Sequence, residues 1–586
     1  MPPERRLLGH RLSETLLLAA FLLVPLAASP WFTNQFTSVK WHVLTALALG
    51  WLVVERSLCA SRSPPRLVVL TWPAWVALGS LVIVGSLRNG PGWAMEPLVA
   101  RGTFVALALA SFWYFRRTRL RVGPLRAATL AAAAIAVGLG SAQFAGLDLL
   151  PWLAGGDHRS ATFGNVNMAA QFVGLALVVL LAGPPGDTGC MRRRATGIAT
   201  ELLAGAALAY LWLAGTRSVG LALAAAVVVL VLAGSITTPR LLRMGAAAAL
   251  VAWCVIAIAP APAGPLAASV RQSKRASAEW RLAVWSDTLG LIRDHPAGVG
   301  AGNFEQAFIP YALAGRSKPG EATVFRSPHN EYLRLVAEEG IAGALLLLAL
   351  LVVLARELHR SPAIARWRSE PGVLIASSSA FLLVEAFFQF PFELAFPSLL
   401  SAVLLGLALA CTEAPTDPAS TSLSGPSRPG LRRLGDAASM LLALGIGVGL
   451  VRVVVAERLE ASSGRDAVAL ERACALDPRR LEACVEAAWL RSRAGEHVAA
   501  RQALNAVLRR SPYYFPAIKL LGEDLLSAGE RAAGCRHLRR YDEMFGGRSS
   551  AHERVRESCP RETPSPPPSP PRATDPERPE PGRQRM

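Results

Sequence analysis

The chain has 586 residues, 52% of them hydrophobic and 18% charged, and its mean hydropathy is +0.35, which is too apolar for a soluble protein of this length. The formal net charge of +19 comes from short basic clusters between apolar runs rather than from one patch. That pattern excludes a nucleic-acid-binding reading and marks membrane topology instead.

In chain order, about 13 apolar runs are each long enough to cross a hydrocarbon core as a helix, the conformation that satisfies every backbone group within the segment. They fall near 14–30, 41–55, 67–87, 97–115, 126–147, 165–183, 197–214, 217–236, 242–262, 332–355, 372–390, 396–412 and 437–455. The first lies behind Arg5, Arg6 and Arg11, as a secretory signal would, but the spans that follow make it a first transmembrane helix. The expected fold class is therefore all-α: a polytopic membrane helix bundle with a large periplasmic loop at 263–331.

With the N-terminus inside, the inner loops are 55–66, 116–126, 192–194, 240–243, 356–368 and 428–433, and every one is rich in arginine. The other set, which includes 31–40, 88–96, 148–164, 215–217 and 263–331, is mostly polar with isolated charges. This asymmetry predicts a bacterial inner-membrane protein whose long loop and C-terminal part face the periplasm.

Beyond the last span the chain becomes polar and repeats itself. Asp477-Pro478 recurs as Ser511-Pro512, Gly495-Glu496 as Gly529-Glu530 and Leu504 as Leu538, an offset of about 34 residues, the period of a tetratricopeptide helix pair. Three regions follow: a membrane domain over 1–456, tetratricopeptide-like helices over 457–546, and a Pro- and Arg-rich disordered tail over 547–586. The helices offer either a surface for a protein partner or a packed cap without one. Cys474, Cys484, Cys535 and Cys559 fall in the outer part, where disulfides are permitted but their connectivity is open. Cys59, Cys190 and Cys411 lie at inner loops or span ends, and Cys254 lies within a span.

No phosphate loop, HExxH pair or GxSxG elbow occurs, so any bond formed must draw on an already activated substrate. No cofactor is expected, and no metal, because the outer loop lacks an acidic pair that would hold a divalent ion and leaves arginines to meet anionic charge. Arg217 lies in a turn too short to be a solvated loop, where it either meets an anion or snorkels to headgroups. Arg281 and Trp285 stand one turn apart on an amphipathic stretch, ahead of Gly298-Val299-Gly300-Ala301-Gly302-Asn303-Phe304. Those glycines either let backbone N–H groups approach a ligand or simply form turns. Arg159 precedes Asn165 and Asn167, two amides that bind a substrate or cap the next helix. In Arg326-Ser327-Pro328-His329-Asn330-Glu331, His329 either accepts a proton, oriented by Asn330 or Glu331, or caps a helix.

Taken together, Arg281 to Trp285, the glycine segment at 298–304, Pro328-His329-Asn330-Glu331-Tyr332-Leu333 and Glu339-Gly340-Ile341-Ala342-Gly343 resemble the large periplasmic loop of bacterial O-antigen ligases, O-antigen polymerases and protein O-oligosaccharyltransferases. Thr162-Phe163-Gly164-Asn165-Val166-Asn167-Met168-Ala169 and Thr216-Arg217-Ser218 resemble that family's earlier motifs, although Val166 stands where the family often has proline. The resemblance covers residues 10–412 and leaves two candidates, Glu385 and Glu393, for a late acidic residue.

The resemblance implies an inverting glycosyltransferase that moves a glycan from an undecaprenyl diphosphate carrier to a hydroxyl of an acceptor lipid, glycan or protein at the outer face. His329, Arg217 and Arg281 would be catalytic, and Arg159, Asn165, Asn167, Arg326 and Asn330 would bind substrate. A lipid-linked sugar transporter or flippase would share many spans, but the polar residues here cluster in one outer loop rather than at mid-membrane depth in paired halves. A scaffold acting through the helical repeats would leave Arg217 and His329 unexplained. The repeats carry no matched motif, so truncation after Glu457 is expected to leave basal chemistry.

Overall fold

The computed structural model describes residues 3–59, 65–87, 91–151, 159–183, 191–258, 266–315, 325–361, 369–413, 429–464, 466–545 and 549–559. Among them the architecture is all-helical. The chain runs through α1 (Pro3–Leu26), α2 (Thr37–Ser57), α3 (Arg66–Leu70), α4 (Trp72–Leu87), α5 (Pro91–Arg117), α6 (Gly123–Phe144), α7 (Val166–Leu181), α8 (Met191–Ala214), α9 (Arg217–Leu232) and α10 (Thr238–Ile258). It continues through α11 (Leu266–Asp294), α12 (Phe304–Ala314), α13 (Glu331–Arg360), α14 (Glu370–Phe388), a short 3-10 turn (Pro391–Glu393), α15 (Ala395–Thr412) and α16 (Pro429–Ser462).

Ten of these helices are long and apolar enough to cross a membrane, and α4, α7 and α9 are shorter apolar helices. These elements coincide with the apolar runs of the sequence, and the chain is a multi-pass membrane protein. Interlocking aromatic rings fill part of the centre: Phe396 meets Phe172 edge-on at 4.7 Å and Phe21 at 5.8 Å, separations at which ring edges and faces attract.

Polar contacts sort the loops onto two ends of the bundle. At one end, buried Glu55 takes both guanidinium nitrogens of Arg117 at 2.6 and 2.8 Å, Arg116 pairs with Glu413 at 3.2 Å and Arg126 with Glu370 at 2.9 Å. At the other end, the Asn34 amide donates to Glu457 at 3.1 Å, Lys40 to the Thr162 carbonyl at 2.8 Å and Thr216 to Asn167 at 3.1 Å. The described parts of the arginine-rich loops 55–66 and 116–126 therefore share one end with Glu370 and Glu413, and those of the charge-poor loops 31–40, 148–164 and 215–217 the other.

The long loop has a core of its own. Val284 and Leu291 of α11, Phe304, Phe308 and Ala312 of α12, Phe325 and Ala337 bury one another, so this segment is a folded layer on the bundle. The helix α13 is broken at Gly340, where φ +77 and ψ 172 interrupt the helical path, leaving a short lower piece and a 20-residue upper piece about 30 Å long.

The C-terminal helices belong to two compact units, divided after Tyr514. The first unit includes α17 (Ala467–Leu476), α18 (Leu481–Arg493) and α19 (His497–Arg510), with a disulfide between Cys474 and Cys484. The second comprises α20 (Phe515–Ser527), α21 (Arg531–Met544) and α22 (His552–Ser558), with a disulfide between Cys535 and Cys559. Gly495 and Gly529 end α18 and α20 in the same left-handed conformation, φ +81 and +82, as helix-terminating glycines do. The tail expected from 547 holds ordered structure over 549–559, where Ser549 and His552 both bond Asp542, at 2.6 and 2.8 Å. The remainder of that tail, like Cys190, lies outside the described residues.

Candidate functional site

Three elements converge where α14 ends. From α11 come Trp280, Arg281 and Trp285; from the turn before α13 comes His329; from α14 come Glu385 and Gln389, one helical turn apart and so on one face. The helices α7 and α9 pack beside α14 and add Gln171 and Ser218.

The turn carrying His329 is built tightly. Trp285 donates its indole N–H to the Pro328 carbonyl at 2.9 Å, the His329 amide bonds Ser327 Oγ at 3.3 Å, and Asn330 caps α13 by accepting from the Leu333 amide at 3.1 Å. His329 itself adopts φ +54, a left-handed conformation that few residues other than glycine take and that marks a constrained site. Its ring lies between Trp280 and Phe390, with centroids 5.4 and 5.0 Å away. Burial, then repulsion by Arg281, lowers the imidazole to about 4, against a hydrogen bond with Gln389. The ring is thus neutral at pH 7. Its Nδ1 is buried without a partner among the described residues.

Glu385 is 1% exposed and accepts from Ser218 Oγ at 3.2 Å, while Gln389 donates to the same hydroxyl at 3.4 Å. Its second oxygen is buried and has no partner among the described residues, and the same holds for Nε of Arg281. Burial lowers the Arg281 guanidinium below its ordinary value, and the Glu385 carboxylate opposes that. A buried polar atom left without a partner is costly, on the order of 1–3 kcal/mol. Among the described residues three such atoms, on Arg281, His329 and Glu385, lie in this one cluster, where a polar ligand would relieve their cost.

The other predicted residues fall in different places. Arg217 opens α9 and is exposed, and its neighbours on both sides tie into the cluster, Thr216 through Asn167 and Ser218 through Glu385. Asn165 caps α7, accepting from the Asn167 amide at 2.8 Å, so its carbonyl is committed to the helix. Asn167 uses its carbonyl to join α7 to α9. Arg159 lies over the Phe144 ring at 5.5 Å. Arg326 is exposed, and its charge acts on Glu305 and Tyr514, on the α12 side of the loop. Asn330 is a cap. The structure thus joins Arg281 and His329, sets Arg217 beside their supports, and gives Asn165 and Asn330 capping roles.

The glycine segment is spent on packing. The amides of Val299 and Gly300 donate to the Ala337 and Glu338 carbonyls at 2.9 and 2.8 Å, which the break at Gly340 leaves open. Gly298, Gly300 and Gly302 take φ +80, +94 and +73, so side chains are excluded here and these two amides face α13 rather than a ligand.

Between the late acidic residues the geometry chooses Glu385 for the cluster. Glu393 pairs instead with Arg334 at 2.5 Å, which also meets Glu331 and Glu338 at 3.5 and 3.4 Å. Arg101 holds Glu338 and Glu339 at 3.3 and 3.1 Å. Burial among these carboxyls pushes Glu393 up to about 7, against the pull of Arg334. Gln171, Gln389 and Lys40 are not named by the sequence, and Ser218 only within Thr216-Arg217-Ser218. Only the Asn167–Gln171 and Glu385–Gln389 spacings, each one helical turn, hinted at polar faces on apolar helices.

Residues 196–348 match the family model described as O-Antigen ligase. The matched segment contains Arg217, Arg281, Arg326, His329 and Asn330, and supports a ligase-like, glycan-transferring membrane protein. No curated protein matches the chain.

Proposed function

We propose that the chain transfers a glycan from an undecaprenyl diphosphate carrier to an acceptor hydroxyl at the periplasmic face of the inner membrane, with inversion at the anomeric carbon. The observation that supports this reading is the proximity of Arg281, His329 and Glu385, each with a buried polar atom that has no partner among the described residues. A neutral His329 accepts the proton of the acceptor hydroxyl through Nδ1. The acceptor oxygen bonds the anomeric carbon as the bond to the diphosphate breaks, and the negative charge leaves with the lipid diphosphate. Arg281, and Arg217 at the rim, meet that charge through forked hydrogen bonds that strengthen as it develops. Glu385 orients Arg281 from behind.

Donor binding also primes the base. An anion paired with Arg281 cancels the repulsion that lowers His329, so the imidazole becomes a better proton acceptor once the diphosphate is in place. Whether the acceptor is a lipid, a second glycan or a protein is a property of whatever fills the space opposite the donor, and a lipopolysaccharide and glycoprotein profile of a deletion strain reads it directly.

The purified protein in detergent, given a lipid-diphosphate glycan and acceptor, is expected to release lipid diphosphate, and to do so in strong chelator. At matched protein levels, His329→Ala should lower turnover by roughly 10²-fold while leaving donor affinity intact. Arg281→Lys, which keeps charge but loses the planar fork, should also lower it by about 10²-fold. Movement of lipid-linked sugar across vesicles without release of lipid diphosphate would establish the transporter instead.

A further inference from the structure

We propose that Arg479, in a turn between the C-terminal helices, is a positioning residue for this reaction: it holds the glycine segment against the broken helix that begins just after His329. The inference rests on the proposed transfer for its kinetic consequence, and on geometry alone for the contact itself.

The turn between α17 and α18 presents two arginines in different directions. The Cys474–Cys484 disulfide closes this turn, and the Arg479 amide bonds Asp477 at 3.2 Å. Arg480 ties the turn to the end of α16 through Glu460 and through Glu457 at 3.4 Å, and Arg452 of α16 donates to the Leu476 carbonyl at 3.1 Å. Held on that side, the turn aims Arg479 toward the loop. Its guanidinium donates to the Gly302 carbonyl at 2.8 Å and pairs with Glu96 of α5 at 3.3 Å. The fit is close: a Cβ on Gly302 would collide with that guanidinium and with Pro97. Ser511, after α19, adds a second attachment by bonding Gln306 of α12.

From Gly302 the contacts run without a gap to the candidate base. The segment's amides hold the Ala337 and Glu338 carbonyls, the Glu338 carboxylate meets Arg334, Arg334 meets Glu393, and Glu331 accepts the Phe392 amide at 3.2 Å. Phe390, two residues earlier, packs on the His329 ring. Each contact is a hydrogen bond, an ion pair or a ring contact, joined by short stretches of chain at 300–302 and 390–393. The polar ones are at least partly buried, where they are screened less than in water. Loss of Arg479 frees the glycine segment, and small displacements of a base from its substrate are kinetically expensive. On this proposal, truncation after Glu457 removes a support of the site, contrary to the expectation from motif boundaries.

The test uses full-length protein carrying Arg479→Ala or Arg479→Lys, with two readouts. In Arg479→Ala, hydrogen exchange should accelerate at residues 298–303 and not in α14, and kcat should fall by about tenfold with KM for the donor unchanged. Arg479→Lys, able to make one bond to the Gly302 carbonyl, should recover part of both. Cys474→Ser releases the turn while leaving Arg479 in place, and should give the same localised exchange should Arg479→Ala insert poorly. If the wild-type protein transfers nothing, the functional reading fails, and exchange alone decides this one: faster exchange confined to 298–303 upholds the contact. Unchanged exchange there, or acceleration spread over the whole chain, overturns the proposal.

Discussion

His329 sits where three kinds of interaction meet: a left-handed backbone, a cage of two aromatic rings and the field of a guanidinium. The backbone and rings fix its direction, and burial with Arg281 lowers it to about 4, below the ordinary value near 6.5. A lowered value means that the neutral form persists as pH falls through the usual histidine range. The kcat/KM of a transfer limited by this base reports the donor-free protein, and is therefore expected to be level from about pH 8 to about pH 5.5 and to drop only as pH approaches 4. The acid limb of kcat should lie higher, once the diphosphate has cancelled the repulsion. Arg281→Ala removes the repelling charge, so the acid limb of the residual kcat/KM should move to higher pH. A kcat/KM limb already centred near pH 6.5 in the wild-type protein would mean that the ring is solvated and uncoupled from Arg281. The sequence named both residues, because a proline-framed histidine and a helix-borne arginine stand out in a polar loop. It left Glu385 and Glu393 level, since spacing alone does not say which of two nearby carboxylates faces Arg281 and which faces Arg334.

Among the elements, the helices were legible and the glycine segment was not. Apolar runs of span length admit one conformation in a bilayer, so the apolar helices α1, α2, α4 to α10 and α13 to α16 followed from composition with ends displaced by a few residues. The glycines of 298–302 left two readings open, a ligand cradle or a turn, and their partner is invisible in sequence: it is the set of carbonyls freed by the break in α13. Gly340 makes that break. Its φ of +77 and ψ of 172 lie in a region essentially reserved for glycine, and an added Cβ would press on the Ala297 carbonyl group. Gly340→Ala should therefore cost on the order of 1–3 kcal/mol, read as a lowered midpoint for thermal unfolding in detergent. A midpoint unchanged from wild type would show that α13 can close into a continuous helix without penalty. Leu504 and Leu538, matched in the repeat, are both fully buried, so that pattern carried packing information as well as period.

At the scale of the whole molecule, the two ends of the bundle differ in charge, and the contacts agree with the loop count. Arg116, Arg117 and Arg126 gather at one end, while Asn34, Thr162, Thr216 and Arg479 meet partners at the other. A phosphatase reporter fused after Arg510 should be active and one fused after Thr118 should be silent, because cationic loops stay in the cytoplasm. Activity after Thr118 would invert the protein and put His329 on the wrong side for a periplasmic acceptor.

The three short apolar helices have a geometric consequence. α4, α7 and α9 contain 16 residues each and rise about 24 Å, some 6 Å less than a typical hydrocarbon core of about 30 Å. Two of them open beside the cluster, at Asn165 and Thr216, and α4 ends near the glycine segment. Where short spans gather, the two water interfaces are drawn together. α7 is buried from Ala169 to Leu181 and meets protein rather than lipid. On the proposed function, thinning beside α4 and α9 would therefore lower a carrier's diphosphate toward the protein while its long isoprenoid chain stays in oil.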